Sequence, residues 1–158
     1  MKNRFSKTIA HTGILATIIL LSGIIKIPSV FPGGEFQLSA PIAVLICALF
    51  GFKTYITAGV LASVLGLILG LINIFNIIIA MTFRLVVGLI IAVGGKNFLT
   101  LIVAGPIGTI MARLTLAQIT QVDWQILVIA AVPGMLYTAI TILVAYKPAQ
   151  ILFKRMNL

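Results

Sequence analysis

Apolar residues run along this chain in long blocks, and short clusters of charge, Gly and Pro interrupt them. Six blocks cover residues 8–25, 38–52, 54–72, 75–93, 98–117 and 125–146. Predominantly apolar stretches of roughly 20 residues match the ~30 Å hydrocarbon core of a bilayer, so each block predicts a membrane-crossing helix. The second block is short, since its residues rise only about 22 Å. Ser39 as an N-cap and Pro41 in the first turn nevertheless mark a helix start there. Fusing the second and third blocks would make one helix of about 52 Å. A break at Gly51-Phe52-Lys53 is the economical division.

Composition removes the alternative of a soluble domain. Of 158 residues, 61% are hydrophobic and 8% charged, against roughly 25% charged in soluble domains. Mean hydropathy is +1.27. The expectation is an all-α integral membrane protein, one membrane domain over 1–158 built as a bundle of six transmembrane helices. Lys2, Arg4 and Lys7 before the first block have the look of a signal peptide. That block is longer than a signal core, and Lys26-Ile27-Pro28 is no small-residue cleavage site, so it is kept as a span.

Charge then orients the bundle and limits its chemistry. Eleven Lys and Arg face two acids, Glu35 and Asp123, with one His and one Cys. Carboxylate dyads, multi-His metal sites and disulfides are disfavoured, and no metal, cofactor or catalytic set is expected. If six spans alternate, Lys2, Arg4, Lys7, Lys53, Lys96, Lys147, Lys154 and Arg155 share one side, while both acids and Lys26 lie opposite. Topology therefore explains the net charge of +9 better than nucleic acid does. The positive-inside rule predicts cytoplasmic termini. Asp123 suits an N-cap and Trp124 the aromatic belt at the outer interface.

Two arginines carry the functional expectation. Arg84 and Arg113 fall inside apolar blocks, where a central charge costs about 2.5–3.5 kcal/mol on insertion scales and demands a partner. Arg84 shares a helical face with Asn76, Ala80 and Gly88, and Arg113 with Gly105, Thr109 and Ala117. From the rise per residue, Arg84 sits ~13 Å and Arg113 ~6–10 Å below the outer helix ends, which places both in the outer half. With so few carboxylates available, an anionic ligand gripped by guanidinium is one reading. The other has Arg113 snorkelling to headgroups and Arg84 bonding helix-end carbonyls or Glu35.

The segment from Pro28 to Gln37 holds two prolines, a Gly33-Gly34 pair, Phe31, Phe36 and Glu35. It suits a lid over an outward-facing pocket, or a rigid turn anchored by its aromatics. Glu35, Phe36 and Gln37 at a helix start are candidate ligand contacts, as is Asn76. Small residues recur four apart at Thr8, Thr12 and Ala16, and at Ala58, Ala62, Gly66 and Gly70. Such ridges let helices approach closely. For the second ridge, internal packing is the expected use.

Taken together, six spans, cytoplasmic termini, a lid-like first outer loop and a pocket in the outer half resemble the substrate-binding S component of energy-coupling factor (ECF) vitamin transporters. The stretch Gly34-Glu35-Phe36-Gln37-Leu38-Ser39-Ala40-Pro41 looks like a signature within such a family. The resemblance implies a bacterial cytoplasmic membrane, a transmembrane T component as partner and two ATPase subunits. It also implies a docking surface on the first helix, where Thr12-x-x-x-Ala16, with Thr8 a turn earlier, takes the place of the family's Ala-x-x-x-Ala. Independently, the chain has no nucleotide-binding motif and no acid within a block, so neither ATP hydrolysis nor carboxylate-relayed proton coupling is expected of it. The alternative is a structural or assembly subunit of another membrane complex, with the arginines as interhelical glue.

Overall fold

The computed structural model describes residues 2–28 and 35–155, with side chains described for 9–25 and 38–155. Six helices follow in order: α1 (Lys2–Ile24), α2 (Ser39–Phe50), α3 (Phe52–Ile68), α4 (Ile74–Gly94), α5 (Phe98–Thr120) and α6 (Trp124–Arg155). Three of them, α4, α5 and α6, are long and apolar enough to cross a membrane. Residues pointing outward from the bundle are themselves apolar, among them Leu85, Leu89, Val93, Ile126, Ile129 and Leu136. A surface of this kind fits lipid and not water.

α2 is the centre of the bundle, which accounts for its length and its sequence. It touches α1, α3, α4, α5 and α6. Helices that are apolar on every face are buried on every face, and Pro41, Ala43, Val44, Ile46, Cys47 and Ala48 are all buried. At 12 residues it rises only about 18 Å. Its neighbours, not lipid, surround it.

The break after α2 falls where the sequence places it. Gly51 takes φ 86°, ψ 164°, and its N–H donates to the Cys47 carbonyl while α3 starts at Phe52. Only glycine enters that backbone region without strain. Close approaches elsewhere rest on other small residues. A Cβ on Gly105 would meet Thr138 Cγ2 at 2.5 Å, and one on Gly108 would meet Val87 Cγ2 at 2.7 Å, joining α5 to α6 and to α4. Gly66 of α3 packs against Leu20 of α1, so Ala58, Ala62 and Gly66 do serve internal packing. Gly70 lies beyond the helix end at φ 68°.

The bundle is all-helical as expected, and one short pairing precedes α2: β1 (Lys26–Pro28) runs antiparallel to β2 (Glu35–Gln37) in the register Lys26↔Gln37, Ile27↔Phe36, Pro28↔Glu35. Three expectations change. Ser39 is not an N-cap, because Leu38 occupies that position in helical conformation and no side chain caps the helix. α6 continues past Tyr146 through Lys147 and Pro148 to Arg155, and Phe153 in this extension packs edge-on against Phe50 at 5.0 Å between ring centroids. That contact secures a stretch where the prolyl ring would otherwise weaken the helix. Finally, Ala16 is fully buried in the core with Leu15 and Ile19. Thr12 of the same ridge is half-buried and the Thr8 side chain lies outside the described ones, while among the described side chains of α1 the exposed small residues are Ala10 and Thr17, with half-buried Gly13 between them.

Asp123 caps α6 as expected, its carboxylate accepting from the Gln125 N–H at 2.9 Å. Trp124 follows it, exposed at the helix start. At the opposite end, exposed Lys53 and Lys96 lie with the exposed Lys147, Lys154 and Arg155 of α6.

Candidate anion-binding site

The site is built on the α3–α4 interface. Along α3, Tyr55, Gly59 and Ser63 recur at four-residue spacing and are all buried, so they form one stripe on one face. Opposite them on α4 the buried stripe is Arg84, Val87, Gly88 and Ile91. The two helices run antiparallel: Gly88 lies under the Phe52 ring near the start of α3, and Arg84 lies against Gly59 about two turns further along α3.

Arg84 is 8% exposed and stands at the midpoint of the 21-residue α4. Ten residues of α4 lie on each side of it, so it sits at mid-helix, about 15 Å from either end, and not in the outer half. Its Nη1 donates to Ser63 Oγ at 2.9 Å and contacts Met81 Sδ at 3.4 Å. The guanidinium stem rests on Gly59, where a Cβ would come within 2.6 Å of Cδ and Nε. Beside the same guanidinium lies the Tyr55 hydroxyl, outside hydrogen-bond geometry to it. Among the described residues this hydroxyl is the one buried side-chain polar atom with no hydrogen-bond partner.

Among the described residues, every contact of the Arg84 head group is neutral. A guanidinium does not lose its proton, so a positive charge is held at mid-bundle against a serine, a thioether and a phenol. Elsewhere on the bundle, a shallow apolar groove of about 560 Å³ beside the α4–α5 turn is lined by Leu89, Val93, Leu99 and Val103 and has no charged side chain on it.

The remaining candidates are placed as follows. Arg113 is half-buried on α5, about 10 Å before the end of that helix at Thr120. Asn76 is exposed in the first turn of α4, where its backbone N–H is capped by Asn73 Oδ1 at 2.9 Å. Eight residues along the helix separate it from Arg84, about 12 Å, so the two do not converge. The backbone of Glu35, Phe36 and Gln37 forms β2, which lies against α6. Phe31, Gly33 and Gly34, the middle of the expected lid, lie outside the described residues.

Tyr55, Gly59 and Ser63 are the site residues that sequence reasoning missed. A signal was present, in a tyrosine and a serine eight apart in an otherwise apolar block with a glycine midway.

The fold and this site define a helical membrane protein whose core holds an arginine among neutral partners. The chain belongs to the BioX family. It is 48% identical over 134 residues to Protein BioX of Lysinibacillus sphaericus, covering 85% of this chain and 81% of that relative. No protein-family profile matches the chain, and no solved structure matches it.

Proposed function

We propose that the chain is the substrate-binding membrane subunit of an ECF-type ATP-driven importer, and that its cargo is a small, anionic, vitamin-like micronutrient. The observation that carries this is Arg84, a charge buried at the midpoint of α4 whose partners among the described residues are all neutral. An intramembrane ionisable residue marks a functional site by default, and among the described residues no anion pairs with this one. Because the chain has no nucleotide-binding motif, energy would come from a transmembrane T component and two ATPase subunits in a bacterial cytoplasmic membrane, with both termini of this chain cytoplasmic.

Native mass spectrometry of the purified protein tests the reading. A binding subunit retains a small anion stoichiometrically, and Arg84→Gln releases it. Transport should require the partner complex and ATP. Robust uptake by the isolated chain in liposomes without ATP would overturn the ECF assignment. The Arg84–Ser63 hydrogen bond favours a second reading, a structural subunit in which the arginine joins α3 to α4. In that case no anion is retained, and Arg84→Gln lowers stability alone.

A further inference from the structure

We infer that Tyr55 is a second binding residue of the Arg84 site, its hydroxyl and the guanidinium each taking one oxygen of a single monoanionic carboxylate. The inference rests on the reading that Arg84 binds the cargo's anion, and goes beyond it in naming a second residue and the class of anion.

Three observations converge. Tyr55 is fully buried in the core cluster with Ala58, Ala62 and Val87, yet its hydroxyl has no hydrogen-bond partner among the described residues. A phenylalanine would fill the same space without an unmet donor, and an unmade bond in an apolar interior is costly. Second, both hydrogen bonds of Arg84 leave from Nη1. Of the five N–H donors of a guanidinium, those on Nε and Nη2 are not engaged by Ser63 or Met81, and the Tyr55 hydroxyl lies beside the same guanidinium. Third, Gly59 keeps the stem of Arg84 close to α3, on the same stripe as Tyr55. An acceptor with two oxygens can satisfy the phenol and the free guanidinium edge together.

Charge decides the class. One guanidinium neutralises one negative charge, and a carboxylate carries one. A phosphate carries about 1.5–2 at neutral pH, which would leave an excess buried among Ala58, Ala62 and Val87, where uncompensated charge is strongly disfavoured.

The probe is heptanoate, compared with inorganic phosphate, on the full chain in detergent. Heptanoate should raise the unfolding temperature of the wild type saturably, and phosphate less at equal concentration. Tyr55→Phe should unfold at the wild-type temperature or higher without heptanoate, and should need about 10- to 100-fold more heptanoate for the same shift, as for one lost hydrogen bond to a charged group. An unchanged heptanoate dependence would overturn the role of Tyr55. So would a marked loss of stability in Tyr55→Phe without heptanoate, since the hydroxyl would then be holding the fold. Phosphate acting more strongly than heptanoate, or a wild type indifferent to heptanoate, would overturn the carboxylate assignment. Arg84→Gln is measured alongside. If it responds to heptanoate as the wild type does, the reading of Arg84 itself fails, whereas a response lost in Arg84→Gln and kept in Tyr55→Phe removes Tyr55 alone.

Discussion

A Cβ atom on Gly59 would stand 2.6 Å from both Cδ and Nε of Arg84, so the arginine of α4 is seated on a gap in the side-chain surface of α3. Filling that gap forces the arginine to shift while its Nη1 is fixed on Ser63. Gly59→Ala should therefore destabilise the protein by about 1–3 kcal/mol, the usual cost of overpacking, despite alanine's better helix propensity. Gly13→Ala is the matched control, since a Cβ there meets nothing within 4 Å. It should be neutral or stabilising by up to ~1 kcal/mol. Unfolding in detergent by both variants checks this, and equal tolerance would show that Arg84 does not depend on its seat.

Ser63 is the oxygen acceptor given for the Arg84 head group, and removing it isolates that one bond. Interhelical hydrogen bonds in membrane proteins average about 0.6 kcal/mol and reach about 1.7. A bond from a buried charge belongs near the upper figure. Ser63→Ala should lose about 1–1.7 kcal/mol, and most of that loss should vanish when it is measured in an Arg84→Gln background. Fully additive losses in the double-mutant cycle would mean that the two side chains are not energetically coupled.

Depth separates the two arginines. Arg84 is buried at mid-helix and Arg113 is half-buried towards the end of α5. If both bind anion, Arg84→Ala and Arg113→Ala should each weaken binding by at least ~1.5 kcal/mol, with the larger loss at Arg84. Titration of the anion identified by native mass spectrometry gives both values. A larger loss at Arg113 would move the site towards that end of the bundle.

Much of the fold was legible because lipid-facing helices are written as apolar blocks. All six helices correspond to the six blocks, and the break at Gly51 follows from a backbone conformation that needs glycine. Asp123 was legible as a cap because capping is local in sequence. What could not be read depends on contacts between distant residues. The α6 extension passes Lys147 and Pro148, and its Phe153 packs against Phe50 of another helix. Arg84 was identifiable as a charge needing a partner, but hydropathy does not say which of five other helices supplies it. Likewise, two small-residue ridges look alike in sequence, and burial alone distinguishes the turned-in Ala16 from the turned-out Thr17.

That difference of one position relocates the expected partner contact on α1. Ala16 is fully buried against the core, so a tryptophan there has no room. Ala16→Trp should abolish folded protein and leave transport uninterpretable. Gly13 and Thr17 lie four apart, with Thr17 exposed and open space over Gly13. Small side chains at that spacing let another helix approach closely, and lipid would tolerate a bulky replacement that a partner helix would not. Under the proposed function, Gly13→Trp and Thr17→Trp should fold and bind cargo within about threefold of wild type, a difference of ~0.7 kcal/mol, yet lose ATP-dependent uptake in the reconstituted complex. Cargo binding and uptake measured on the same preparations separate the two effects. Normal uptake by both variants would show that this face of α1 meets lipid alone, and the search for the coupling surface would pass to another helix.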